Sequence, residues 1–327
     1  MAFFYLTTSC GFRCPYCPTG PFMMEGQVAT GAVLPGAEVL RLLGILRRHV
    51  DMLVLTGGEP LGHPDFEMIL AGLAGLRFRT VILATNGFLV DRWLDALVTK
   101  TDELVVSLDT LDNERGDRLA GCARGTAARV RENIERLARH PGRRCDIAIS
   151  GVVTPDNIED LAQVYRYTQR LGLNFAAAPQ LIGVHAHPKL LESQPYRRFY
   201  DFLIAEKRRG GRVYGSPRYL QHLRDLASFR CYPFTYLVVS PLGDVFYPCL
   251  EGGRVVGNLR DEPDLHVLRK RGYAQHGPEP KCCNQCHSAC MVGISLILQH
   301  PVEALAEGWR LHRQASRRPE AQGLAQA

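Results

Sequence analysis

The sequence lacks the features that would place it in a membrane, in a secretory route or on a nucleic acid. No stretch reaches the ~18 uninterrupted apolar residues of a membrane-spanning helix, and residues 1–8 have neither the basic region nor the long apolar core of a secretory signal. The 39 Lys and Arg exceed the 33 Asp and Glu by only six charges, which is too few to indicate nucleic-acid binding. We therefore expect a cytoplasmic protein that binds no nucleic acid.

Cysteine, in contrast, is abundant and clustered. The 327 residues include 11 cysteines, of which three lie within residues 10–17 and six after residue 230. In a chain of this length without a signal peptide, such clusters indicate metal ligation rather than disulfides. The two isolated cysteines, Cys122 and Cys145, are typical of ordinary core or surface thiols.

The first cluster, Cys10, Cys14 and Cys17, has the spacing C-x3-C-x2-C, with Tyr16 before the last cysteine. Soft thiolates select zinc or iron–sulfur clusters. A zinc ion would need a fourth ligand, and this spacing is not that of a usual zinc finger. A four-iron cube ligated by three cysteines keeps one iron open to an exogenous ligand, so the loop predicts a [4Fe-4S] cluster of that kind.

Short apolar segments alternate with amphipathic ones through the first 180 residues. This alternation predicts a parallel sheet covered by helices, in which ligands bind at the carboxyl ends of the strands. We predict strands at 3–7, 52–56, 80–85, 103–108, 146–153 and 174–178, and helices at 35–49, 64–76, 90–100, 127–140 and 157–171.

Glycine-rich or polar motifs follow the predicted strands. Two glycines in the segment 57–60 allow a ligand to approach the backbone closely, although each motif alone is also compatible with a turn or a cap. The motif residues are Gly57, Gly58, Glu59 and Pro60 after the second strand, Asn86 after the third, Ser107 and Asp109 at the end of the fourth, and Val152 in the fifth.

Together, the cysteine loop and these motifs resemble the radical S-adenosylmethionine (SAM) superfamily. The resemblance implies an α/β fold built as a partial (β/α)6 barrel, with SAM bound to the open iron of the [4Fe-4S] cluster. It also implies that residues 57–60 bind the SAM amino group, that Ser107 and Asp109 lie near its ribose and carboxylate, and that Val152 lies near its adenine. The basic residue that would bind the SAM carboxylate stays open among Arg115, Arg118 and Arg124.

The C-terminal cysteines resemble the SPASM/twitch domain of many radical SAM enzymes. Cys231 and Cys249 flank a predicted hairpin with a turn at 241–244, and a Gly-Asn-Leu segment and more cysteines follow. The resemblance implies a second, auxiliary [4Fe-4S] cluster, although the same thiolates also suit a structural zinc. The favoured ligands are Cys231, Cys249, Cys283 and Cys286, with Cys282, Cys290 and His287 as rivals.

We accordingly predict three parts: a radical SAM partial barrel at 1–225, a small cysteine-rich α+β domain at 226–300, and a C-terminal helix and tail at 301–327. The amphipathic stretch before residue 313 leaves a peripheral membrane contact open. Residues His185, His187, Tyr196 and Tyr214 fall in the connecting region, where a surface or packing role is favoured for each over the alternative of lining a substrate pocket.

The predicted activity is reductive cleavage of SAM to a 5′-deoxyadenosyl radical, with electrons from a flavodoxin or ferredoxin. The radical would abstract hydrogen from, or add to, a small metabolite or lipid precursor. Because the cysteine loop begins at residue 10, we expect no peptide-recognition or cobalamin domain before it. A peptide-modifying enzyme and a non-catalytic iron–sulfur or zinc protein stay as alternatives, and the sequence assigns no catalytic residue.

Overall fold

Six parallel strands form the centre of the sheet in the computed structural model, which describes residues 1–17, 31, 33–249, 254–277, 286–303 and 305–306. They are paired in chain order. The strands are β1 (Ala2–Tyr5), β2 (Met52–Thr56), β3 (Thr80–Thr85), β4 (Glu103–Ser107), β5 (Asp146–Val153) and β6 (Asn174–Pro179). The helices between them are α1 (Gly36–Arg47), α2 (Phe66–Leu76), α3 (Val90–Lys100), α4 (Asn113–Ala120), α5 (Thr126–Arg139) and α6 (Ile158–Arg170).

These bounds agree with the sequence prediction to within two residues, and β2, β3, β5 and α3 match it at both ends. Helix α4 was not predicted. Its sequence, Asn-Glu-Arg-Gly-Asp-Arg-Leu-Ala, has no apolar periodicity. A cap begins it instead, because the Asp112 carboxylate accepts a hydrogen bond from the Arg115 backbone N–H at 2.9 Å.

The two faces of the sheet differ in burial. On β4, Leu104 and Val106 are fully buried against the helices, whereas Val105 keeps part of its surface accessible and Ser107 is exposed. Strand β6 alternates in the same way. We call the accessible side, which carries Val105 and Ser107, the open face. The sheet thus has one helix-covered face and one face available to a ligand.

The C-terminal part adds three strands to the same sheet. Strand β9 (Leu237–Val239) lies parallel to β1, with Ala2 opposite Leu237, and β10 (Asp244–Tyr247) and β11 (Arg254–Asn258) continue antiparallel. The predicted hairpin is confirmed by the β9–β10 pair. The sheet therefore runs without a break past residue 225, and the division into domains stays a prediction.

Short elements connect the barrel to these strands. They are β7 (Leu181–Ile182), β8 (His185–Ala186), α7 (Pro188–Leu191), α8 (Gln194–Arg208) and α9 (Pro217–Asp225), followed after β11 by α10 (Leu265–His276) and α11 (Ala289–Gln299). Ser193 and Ser216 cap α8 and α9 by accepting hydrogen bonds from backbone N–H groups. No helix among the described residues is both long and apolar enough to cross a membrane. Most of the predicted tail lies outside the described residues.

Adjacent truncations on β4 test the difference between the two faces. Leu104→Ala should lower the free energy of unfolding by about 2–5 kcal/mol, because it leaves a cavity in the helix-covered core. Val105→Ala, one residue away, should cost less than about 1 kcal/mol, because its side chain is already partly solvated. Chemical denaturation of both variants measures the two free energies of unfolding, and equal losses of stability would contradict an accessible open face.

Candidate functional site

The cysteine loop is anchored by backbone hydrogen bonds on both of its sides. Before Cys10, the Gly58 N–H donates to the Thr7 carbonyl and the Glu59 N–H donates to the Ser9 carbonyl, each at 2.7 Å. Beyond Cys10, the Arg13 N–H donates to the Ala120 carbonyl at 2.7 Å. The loop is therefore fixed to the ends of β2 and α4. Sequence reasoning missed these anchors, because a carbonyl acceptor carries no residue signature.

Glycine is required where β2 ends because the backbone before the cysteine loop passes so close. A Cβ at Gly57 would lie 2.6 Å from the Thr7 carbonyl oxygen, and a Cβ at Gly58 would lie 2.1 Å from the Ser9 oxygen. Gly57 also has φ +147°, which side-chain-bearing residues rarely adopt. The two glycines thus permit contact between the segment 57–60 and the cysteine loop.

Glu59 joins the ends of β2 and β3. Its side chain is buried, and its carboxylate accepts hydrogen bonds from Leu61 N–H (3.1 Å), the Thr85 hydroxyl (2.7 Å) and Asn86 N–H (2.8 Å). Desolvation nevertheless raises the pKa of Glu59. Pro60 begins the 3-10 turn that follows. With its carboxylate accepting three bonds from the protein, Glu59 is a positioning residue for the loop that carries Asn86.

Asp109 connects the cysteine loop to the ends of β4 and β5. Its Oδ2 accepts a short hydrogen bond from the Tyr16 hydroxyl, and its Oδ1 accepts one from the Val152 N–H at 2.7 Å. Burial raises the pKa of Asp109, although both hydrogen bonds act to lower it. Tyr16, Asp109 and Val152 therefore tie the cysteine loop to the carboxyl ends of β4 and β5.

The three N-terminal thiols lie at this edge. Cys10 is exposed and accepts from the Asn86 amide at 3.7 Å, while the half-buried Cys14 thiol contacts the Ala120 carbonyl at 3.9 Å. Desolvation, and then the neighbouring Cys17, raise the pKa of Cys14 to about 12, so a metal must displace its proton.

The chemistry of these thiols fits the predicted cluster. Besides desolvation, both Cys17 and Cys10 raise the pKa of Cys14, so the three side chains lie near one another. Soft thiolates suit iron, and each thiolate of a [4Fe-4S] cluster binds a separate iron. The three thiols therefore supply the donor set that the predicted cluster needs.

Four of the nine predicted cofactor-binding residues line a cavity of about 60 Å³, whereas residues 57–60 and Val152 do not. Its lining includes Cys14, Tyr16, Asn86, Ser107 and Asp109. Cys122 also lines it, and borders an open depression of about 450 Å³ formed by α4 and the turn after it. The cavity thus brings side chains of the cysteine loop together with side chains at the ends of β3 and β4 and after α4.

The three candidate arginines near this depression differ in their partners. Arg115 pairs with Asp160 at 3.0 Å and donates to the Asp156 carbonyl, and thereby joins α4 to α6. Arg124 is exposed and faces Glu114 at 3.6 Å. Arg118 lines the depression, and its side chain has no ion pair with any described residue.

Two of the C-terminal cysteines, Cys231 and Cys249, lie at the opposite end of the sheet. Cys231 precedes β9, which runs parallel to β1, and Cys249 follows the antiparallel β10, so both lie at the amino end of β1. Cys231, Cys249 and Cys286 are buried, whereas Cys290 is exposed. Cys282 and Cys283 lie outside the described residues.

His287, a rival ligand, is engaged elsewhere. Its backbone N–H donates to the Val184 carbonyl at 2.8 Å, and its Nδ1 accepts from the Ala186 N–H at 2.9 Å. Desolvation lowers the pKa of the ring, and the nearby His185 adds to this. His287 thus holds the chain before α11 against β8, and Nδ1 is not available to a metal.

Comparison with known proteins identifies the class. The sequence profile of the radical SAM superfamily matches residues 4–168, about half of the chain. The chain belongs to this superfamily and is an enzyme of that class, whose cofactors are a [4Fe-4S] cluster and SAM.

Two curated relatives are similar over part of the chain. The chain is 34% identical over 139 residues to a GTP 3′,8-cyclase of Chlorobaculum tepidum, covering 42% of this chain and 40% of the relative. It is 34% identical over 179 residues to the enzyme of that name from Corynebacterium glutamicum, covering 50% and 44%. The matched part thus spans less than half the length of either relative.

Solved structures show the same fold over more of the chain. SuiB of Streptococcus suis, bound to its precursor peptide SuiA, has a TM-score of 0.63 at 17% identity, covering 82% of this chain and 64% of SuiB. Native anSMEcpe with bound AdoMet has a TM-score of 0.61 at 16% identity, covering 97% and 99%. At such identity the likeness shows the partial barrel with its C-terminal cysteine-rich region.

Substitution of Gly58 tests the contact that fixes the cysteine loop. Gly58→Ala must displace the Ser9 carbonyl directly before Cys10, so the reconstituted variant should lose SAM binding and bind less iron. Gly75→Ala is a matched control, because a Cβ there meets no atom within 4 Å and Ala favours the helix. Iron analysis and SAM equilibrium dialysis measure both, and a Gly58→Ala variant that binds iron and SAM normally would refute the role of this contact.

Proposed function

We propose that Cys10, Cys14 and Cys17 hold the [4Fe-4S] cluster at which this enzyme cleaves SAM reductively. When bound, the cluster supplies the electron that breaks a carbon–sulfur bond of SAM and leaves a 5′-deoxyadenosyl radical. The observation that carries the proposal is the anchoring of the cysteine loop to β2, β4 and β5 through Gly58, Glu59, Tyr16 and Asp109.

The residues around the loop would then bind and orient SAM. The segment 57–60, of which Gly58 is partly accessible, would bind its amino group, and Ser107 and Val152 border the same edge. The carboxylates of Asp109 and Glu59 already accept hydrogen bonds from the protein, so we assign both residues to positioning the strand ends. Arg118 is the arginine we propose for the SAM carboxylate, because Arg115 and Arg124 already face carboxylates.

We propose a small molecule as the substrate. The relatives that share 34% identity are named for a reaction of GTP, and the open face offers room beside the SAM edge. The structural neighbours whose titles name peptides support only the fold, since their identity is 16–17%. A reductant of the flavodoxin or ferredoxin type would supply electrons, in a cytoplasm that keeps the thiols reduced.

We further propose an auxiliary [4Fe-4S] cluster at the amino end of β1, held by Cys231, Cys249, Cys283 and Cys286. The β9–β10 hairpin brings the chain at Cys231 and Cys249 to the same end of the sheet, and three of the four thiols are buried. A cluster at that end would lie at the opposite end of the strands from the SAM edge. From there it would accept an electron from a substrate radical. Structural zinc is the competing occupant.

Product analysis tests the N-terminal assignment. Anaerobically reconstituted enzyme, reduced with dithionite in excess SAM, should form 5′-deoxyadenosine. Cys14→Ala should abolish it, because one iron ligand is lost, whereas Cys145→Ala, at a buried core thiol, should retain it. Mass spectrometry identifies the nucleoside, and S-adenosylhomocysteine as the sole product, or unchanged cleavage by Cys14→Ala, would refute the proposal.

Metal content tests the second cluster. Two four-iron clusters require about eight irons per chain, so Cys249→Ala should leave about four. Cys145→Ala, which removes a fully buried thiol from the core, should leave iron unchanged. Iron, zinc and sulfide analysis after anaerobic reconstitution distinguishes the cases, and about four irons with one zinc in the wild type would establish the zinc site instead.

A further inference from the structure

A row of side chains on the open face starts at the proposed SAM edge and crosses the sheet. The parallel register places Ser107, at the end of β4, opposite Ser150 of β5, and Ser150 opposite Ala176 of β6. Each of the three is at least partly accessible, and none carries a charge. Adjacent strands lie ~4.8 Å apart, so the row covers ~10 Å from Ser107 to Ala176. Its side chains are small, which leaves room above the sheet.

Tyr214 continues this row beyond β6. Val213 forms a parallel bridge with Phe175, and the Tyr214 N–H donates to the Phe175 carbonyl at 2.8 Å. The chain at Val213 therefore extends the sheet by one strand spacing, with Tyr214 beside Ala176. Val213 and Phe175 are both buried, so the alternation of side chains directs Tyr214 to the open face.

Of the four connecting-region residues that could line a substrate pocket, three are engaged in the fold. Tyr196 is buried and its hydroxyl donates to a backbone carbonyl, His187 caps α7, and His185 packs edge-on against a second histidine ring. The fourth, Tyr214, is 41% exposed, and its side chain makes no hydrogen bond or ring contact with the part of the chain that the structure describes. On the face of a partial barrel that the helices leave uncovered, such a ring is available to a ligand.

The chemistry of the row favours a planar, uncharged group beside Tyr214. A tyrosine ring binds another ring by offset stacking or edge-to-face contact, in addition to the apolar area that it buries. The small side chains of Ser150 and Ala176 let a flat group approach the sheet next to that ring. A charged group would find no charged partner in the row. Three strand spacings separate Ser107 from Tyr214, or ~14 Å, which suits a small molecule lying between them.

We propose that Tyr214 is a specificity residue of the substrate site, whose ring stacks against a planar, uncharged ring of the substrate. The proposal rests on the proposed function, because it takes the Ser107 end of the row as the place where SAM is cleaved. Tyr214 contacts the substrate, whereas SAM is bound by the residues at the carboxyl ends of β2–β5.

Binding of two matched probes tests the preference for a planar ring without requiring SAM cleavage. Benzyl alcohol and cyclohexylmethanol share one carbon skeleton and one hydroxyl, but only benzyl alcohol has a planar aromatic ring. Saturation-transfer NMR on the anaerobic, cluster-reconstituted enzyme with SAM measures their affinities. The wild type should bind benzyl alcohol roughly fivefold more tightly, as for a contact between two aromatic rings. Because the saturated ring is the more apolar, burial of apolar area alone would give the opposite preference.

Three variants make the result specific. Tyr214→Leu should lose the preference for benzyl alcohol, whereas Tyr214→Phe, which keeps the ring, should retain it. Tyr273→Leu, an identical change on α10, which packs against β10 and β11, should leave the preference intact. Equilibrium dialysis should show the same SAM affinity for Tyr214→Leu as for the wild type, which also shows that the variant folds.

Three results would overturn the proposal. They are equal or tighter binding of cyclohexylmethanol by the wild type, a preference for benzyl alcohol that survives in Tyr214→Leu, and a loss of SAM affinity in Tyr214→Leu, which would make Tyr214 a SAM residue instead. Because the readout is binding, failure of SAM cleavage would appear separately, as absent 5′-deoxyadenosine with the aromatic preference retained.

Discussion

The contact between the backbone before Cys10 and the two glycines after β2 is the constraint on which the proposed SAM site depends. Residues 7–9 and 57–59 share hydrogen bonds at 2.7 Å, and any side chain at position 58 would collide with the Ser9 carbonyl. This close approach fixes the carbonyl immediately before the first cysteine. A loop of three thiols has no regular structure of its own, so the neighbouring strand ends must supply its geometry.

Two buried carboxylates extend that constraint across the sheet. Glu59 links the loops after β2 and β3, and Asp109 links the cysteine loop to β4 and β5. Each accepts several hydrogen bonds, which offset part of the cost of burying a charge. Parallel strands make this possible, because their carboxyl ends lie at one edge. Residues distant in sequence, such as Tyr16 and Asp109, therefore act as one unit.

Much of this could be predicted from the sequence where local signals were strong. The bounds of β2, β3 and β5 follow from short apolar runs. The cysteine spacing predicted the cluster loop, and the glycine pair predicted a close approach to the backbone. Helix α4 was not predicted, because its start is marked by a cap and not by an apolar face. The pairing of β9 with β1 joins residues 235 positions apart, such as Ala2 and Leu237, and no local pattern encodes it.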